Sequence, residues 1–218
     1  MNRSRLSPAA SRQAGISLVI TLVALVMMSL AAVALMRNVD TTNLVAGNLA
    51  FKQATTSAAD LGTESAITWL QNNNAGLTLY NDNTGSGYYA TSLTNLDVGG
   101  KSSNAARALA DWKGDNCAYA AGGSYAACVR TSAALTANGY TTRYLITRMC
   151  KTTGDPNAAG NGCARPVSNS AGQSPKRGEL KYGEDKRFAT PSGPYFRIVV
   201  RSEGPRNTIS YTESYVHF

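Results

Sequence analysis

The chain has 218 residues, 43% hydrophobic and 16% charged, with a formal net charge of +8, four cysteines and a single histidine. That histidine, His217, is nearly terminal, and the chain lacks the G-x-S-x-G, H-E-x-x-H and phosphate-loop patterns, while Asp82, Asp97, Asp111 and Asp115 follow no diagnostic spacing. The expectation is therefore a protein that is not an enzyme and needs no cofactor or metal. A diffuse basic excess of this size is more often solubility chemistry than a nucleic-acid footprint, so nucleic acid is the weaker partner expectation.

The N-terminal residues 1–15 are polar and carry Arg3, Arg5 and Arg12 with no acid; without them the formal charge would be +5. Ile16 to Met36 follows, 21 residues without a charge. As a helix this run spans about 30 Å, the thickness of a bilayer core. The leading arginines predict a single span with the N-terminus in the cytoplasm and the C-terminal part outside. Two plainer readings stay open: a signal peptide cut near Ala31-Ala32-Val33-Ala34, against which the length of the run argues, and a plain single-pass anchor.

From Asn38 to Gln71 there is no proline, and Phe51, Ala54, Ala58, Leu61, Ser65 and Trp69 recur at helical spacing. One helix over 16–71 is predicted, its second half packing this narrow seam on a globular domain of residues 72–218. Gly47 beside Asn48 is a candidate break, and Asn72-Asn73-Asn74 followed by Gly76 is the predicted stop.

In the remainder, residues 81–104 read as loop with one short strand, and Ala105 to Trp112 as one or two helical turns. Tyr140 to Cys150, Tyr195 to Ser202 and Thr208 to His217 alternate as half-buried strands, the last two joined through Glu203-Gly204-Pro205-Arg206-Asn207 as a hairpin. The fold class is thus α+β, a long helix on a small antiparallel sheet. Cys117, Cys128, Cys150 and Cys163 form no C-x-x-C pair, and an even number in an exported chain points to disulfides. Three pairings are open; Cys117 with Cys128 and Cys150 with Cys163 is preferred because each closes a short Gly-rich loop, worth about 3 kcal/mol by loop-closure entropy. The long segment 151–192 carries Lys176, Arg177, Lys186 and Arg187 among acids, either a solvated mixed-charge loop or a binding surface.

The junction Gln13-Ala14-Gly15-Ile16-Ser17-Leu18 resembles the class III signal of type IV pilins. The resemblance implies cleavage by a prepilin peptidase between Gly15 and Ile16, methylation of the new N-terminus and a type IV pilin-like fold. Most pilins carry glutamate as the fifth mature residue; here that position is Ile20 and the first acid is Asp40. Met36-Arg37, Val45-Ala46-Gly47-Asn48-Leu49, Phe51-Lys52-Gln53-Ala54 and the C-terminal Tyr195 to Ser214 are similar to the PilX family of minor pilins, members of which commonly lack that glutamate. The resemblance implies a subunit of an initiating or tip complex that supports pilus assembly and twitching motility or adhesion. Its partners would be other minor pilins, the major pilin, the prepilin peptidase and a tip adhesin, first in the inner membrane and then in the pilus at the cell surface. Two alternatives remain: a binding module displayed for adhesion or DNA uptake, and a type II secretion pseudopilin. Residues 72–139 carry no family motif.

Overall fold

The computed structural model describes residues 16–166 and 193–218. Helix α1, Ile16–Asn73, is followed by eight strands: β1 Tyr88–Tyr89, β2 Leu96–Asp97, β3 Ala108–Asp111, β4 Ala127–Arg130, β5 Leu135–Ala137, β6 Tyr140–Arg148, β7 Phe196–Gly204 and β8 Thr208–Val216. The chain divides into two units, residues 1–50 and 51–218. Helix α1 crosses the division and runs unbroken through Gly47, so the predicted break there is not present. It ends within the asparagine run, close to the predicted stop.

In the second unit β6, β7 and β8 form an antiparallel meander, with the expected hairpin between β7 and β8. The β7–β8 turn is Pro205–Asn207, with Arg206 and Asn207 both at φ 58°, the left-handed geometry that closes a tight hairpin. The sheet nevertheless departs from a small antiparallel one. Strand β5 adds antiparallel to the start of β6, β1 adds parallel to its end, and a second sheet of order β2-β3-β4 is parallel throughout. Ala105 to Trp112, expected as helical turns, supplies β3. Helix propensity in its alanines yields to tertiary pairing: Leu109 and Ala110 are fully buried, and Leu109 lies opposite Cys128 of β4.

Two buried clusters explain this arrangement. Tyr144, Ile146, Ile198 and Val200 join Ala59, Ala66 and Leu70 of α1 on one face of the large sheet. Leu145 and Val199, which point the other way, pack with Ala110 and Val129 of the small sheet and with Trp112 just after β3. Strands β6 and β7 are therefore buried on both faces, not half-buried as the alternation suggested. A continuous run such as Ile198-Val199-Val200 is the signature of a doubly covered strand.

The helix seam also needs correction. The residues of α1 buried on the sheet are Thr55, Ala59, Gly62, Ala66 and Leu70. Of the predicted seam, Ala54 and Leu61 are exposed, and Phe51, Ala58, Ser65 and Trp69 are half-buried. The true stripe lies one residue further along, because the close approach of helix and sheet selects Ala59, Gly62 and Ala66 rather than Phe51, Leu61 and Trp69. A Cβ placed on Gly62 would stand 2.5 Å from Thr142 Cγ2 and 2.6 Å from Val200 Cγ1. The larger predicted residues flank this line: the Trp69 ring lies 5.3 Å from that of Tyr88, and the Arg206 guanidinium sits 5.0 Å over Phe51.

The seam is polar at its start and apolar at its end. Thr56 Oγ1 is 3.0 Å from Ser210 Oγ, Thr142 Oγ1 donates to Ser202 Oγ at 3.2 Å, and Lys52 Nζ donates to the Ile209 carbonyl. Further along, Leu70 meets a cluster that includes Tyr88 and Phe196.

Gly62→Ala should lower stability even though alanine improves the helix by about 1 kcal/mol, because two stiff β-branched side chains must move. Gly62→Val should cost about 3 kcal/mol. Gly47→Ala, with nothing within 4 Å of its added carbon, should raise helicity instead. Denaturant unfolding of the full chain in detergent, followed by circular dichroism, measures all three; a stabilising Gly62→Ala would contradict the close approach.

Candidate functional site

The first feature with chemical meaning is the exposed half of α1. It is long and apolar enough to cross a membrane, and every residue from 16 to 46 is exposed. Two of its hydroxyls are bonded within the helix: Thr21 Oγ1 donates to the Leu18 carbonyl at 2.9 Å and Ser29 Oγ to the Val26 carbonyl at 2.8 Å. Hydroxyls bonded in this way carry little penalty in hydrocarbon. Thr41 and Thr42 bond back to the Asn38 carbonyl in the same manner, just beyond Arg37. Ile16, expected as the first residue after cleavage, is helical and 65% exposed. Gly15 lies outside the described residues.

The cysteines are joined as Cys117–Cys128 and Cys150–Cys163, the pairing preferred from the sequence. The first bridge ties the loop after β3 to β4. Asp111 organises the same loop, its carboxylate accepting the backbone N–H groups of Gly114, Asp115 and Asn116 at 2.8, 3.0 and 3.1 Å. The second bridge closes a loop directly after β6. Lys176, Arg177, Lys186 and Arg187 lie outside the described residues.

The sequence reading does not single out Arg148, yet among the described residues it is the largest fully buried side chain. Its Nε donates to the Ala90 carbonyl at 2.9 Å, Nη1 to Leu79 at 3.0 Å, and Nη2 to Thr152 at 3.2 Å and Gly154 at 2.9 Å. Four carbonyls from three separate loop segments thus converge on one rigid guanidinium. The Leu79 carbonyl also accepts from Tyr88 Oη at 2.7 Å. Burial pushes the Tyr88 phenol far above its ordinary range, with the charge of Arg148 opposing and that of Asp82 adding. The tyrosine is a neutral donor at any physiological pH. An arginine at the end of an alternating strand gives no sequence signal of this role, since its acceptors are backbone atoms of distant loops.

The reading also does not single out Trp112, Tyr119 and Tyr211, which line a surface groove of about 250 Å³ with Lys113 and Arg201. These residues come from the β3–β4 loop, β7 and β8, segments separated by up to 99 positions and brought together by the stacking of the two sheets.

No protein-family model, curated protein or solved structure matches this chain.

Arg148→Met should cost at least about 3 kcal/mol, because it leaves buried carbonyls without donors. The cost should shrink once Cys150 and Cys163 are replaced by serine, since that bridge holds the loop carrying the Thr152 and Gly154 carbonyls. A double-mutant cycle by denaturant unfolding measures the coupling; strict additivity would show that arginine and disulfide act independently.

Proposed function

We propose that the chain is a membrane-anchored filament subunit, a minor pilin of the type IV class, without enzymatic activity. The observation that carries this reading is helix α1, exposed and apolar over its first half and seated on a β-sheet over its second. An ordinary anchor needs only the first of these properties and a soluble domain only the second. A subunit that leaves a bilayer to join a bundle needs both, because neighbouring apolar stems then replace lipid around the exposed half.

The junction at Gly15 and Ile16 and the two-ended resemblance to the PilX family support the same reading. In it, a prepilin peptidase removes residues 1–15 on the cytoplasmic side, and Ile16 becomes the methylated N-terminus. The subunit then waits in the inner membrane with residues 72–218 in the periplasm before joining other minor pilins and the major pilin. The aliphatic Ile20 offers no carboxylate to the amino terminus of a neighbour, which favours a place at the initiating end or tip.

Mass spectrometry of the N-terminal peptide, after expression with and without a prepilin peptidase, tests the proposal. A peptide beginning at methylated Ile16 only in the presence of the peptidase is expected. A chain that keeps Met1 in both would be a plain anchor, and a start near Val33 to Met36 would be a secreted protein; either result ends the filament reading.

A further inference from the structure

The groove at Trp112 has features that packing alone does not require. In the register of the large sheet, Arg143 of β6 lies directly opposite Arg201 of β7, which lies directly opposite Tyr211 of β8. Like charges facing each other across strands are destabilising. The structure keeps this pair and adds Lys113 beside it: the three cations line a second hollow of about 390 Å³, where Glu203 is the one lining carboxylate. That hollow adjoins the aromatic groove, sharing Trp112, Lys113 and Arg201 with it.

The lining is held in place before any ligand arrives. Trp112 Nε1 donates to the Val98 carbonyl at 2.9 Å, Arg143 Nη1 to the Ser132 carbonyl at 2.9 Å, and Arg201 Nη2 pairs with Glu203 at 2.8 Å. The Tyr211 ring stands edge-on to Trp112 with centroids 6.1 Å apart. Tyr211 and Tyr119 are 43% and 48% exposed, so their rings are available to a ligand. Rigid aromatic and guanidinium groups lose little entropy on binding.

The size and the distribution of charge narrow the ligand. The aromatic groove is large enough for about one six-membered ring, at the low end of small-molecule sites. A cationic shelf beside it suits one anionic substituent. Around Tyr119 the sign reverses: burial raises its phenol, and the carboxylates of Asp97, Asp111 and Asp115 raise it further. A polyanion crossing the groove would run from cations into carboxylates, which disfavours single-stranded nucleic acid, whose binding needs a continuous positive track.

We propose that this groove binds an acidic saccharide, its sugar ring lying against Tyr211 and Tyr119 and its carboxylate held by Arg143 and Lys113. The site is independent of the filament reading.

Calorimetric titration of the full chain, in a detergent without a sugar headgroup, tests it with sialyllactose, trigalacturonic acid, lactose and a short oligothymidylate. Saturable binding of either acidic sugar is expected, at least about tenfold tighter than lactose. Preference between the two acidic sugars tells a sialylated source from a uronic one. Tyr211→Ala should weaken binding about tenfold, and Arg143→Gln should reduce the acidic sugar to the affinity of lactose. Near-UV circular dichroism of each variant establishes that the fold is kept, with Lys113→Gln as a surface substitution that reads the same charge if Arg143→Gln unfolds. No saturable saccharide binding, equal binding of lactose, tighter binding of the oligonucleotide, or an unchanged affinity in folded Tyr211→Ala would each overturn the proposal.

Discussion

The architecture of residues 51–218 depends on covering the central strands twice. Strands β6 and β7 present apolar side chains to both faces, and a sheet of that kind is stable only between two layers. One layer is the second half of α1, and the other is the small parallel sheet β2-β3-β4. The first contact is close enough to need Gly62 and two alanines, so the helix offers a stripe of small residues where bulk would hold it off. The second draws in Ala110, Trp112 and Val129, and with them loops that otherwise have little apolar surface to bury.

Those loops set the second problem. Much of residues 72–139 and 149–166 is glycine, serine, threonine and asparagine, which cannot build a core of their own. Their order comes from directed polar contacts. Asp111 gathers three backbone N–H groups, Arg148 gathers four carbonyls, and two disulfides limit the unfolded alternatives of the same segments. The burial of Arg148 is affordable because every bond it makes is to a carbonyl whose own desolvation would otherwise go uncompensated. A single cation thereby replaces the apolar packing these loops lack.

The two ends of the functional argument rest on different physics. The exposed half of α1 is a statement about solvent: the charge-free run Ile16 to Met36, with the Thr21 and Ser29 hydroxyls bonded internally, is suited to hydrocarbon or to other apolar helices, and the filament proposal follows from that suitability. The groove is a statement about specificity. Opposed arginines, one paired with Glu203 and the other bonded to the Ser132 carbonyl, stand beside exposed tyrosines, and the saccharide proposal follows from that combination of cation and ring.

The sequence by itself determined the local features. A charge-free run of 21 residues, the helix stop at the asparagines, the three long strands and the β7–β8 hairpin with its Gly-Pro turn were legible because each depends on neighbours a few positions apart. The short loops also favoured the disulfide pairing that the structure has. What the tertiary structure decided was everything set by distance in space. It placed the helix seam one residue along from the line that apolar spacing predicts, because the closest approach rewards Ala59, Gly62 and Ala66. It made a strand of alanine-rich residues 108–111, because pairing with β2 and β4 outweighs helix propensity. It made β1 parallel to β6, gave Arg148 four backbone partners that have no side-chain signature, and assembled Trp112, Arg143, Arg201 and Tyr211 from remote strands. Periodicity reports which residues share a face; only packing reports what that face must meet.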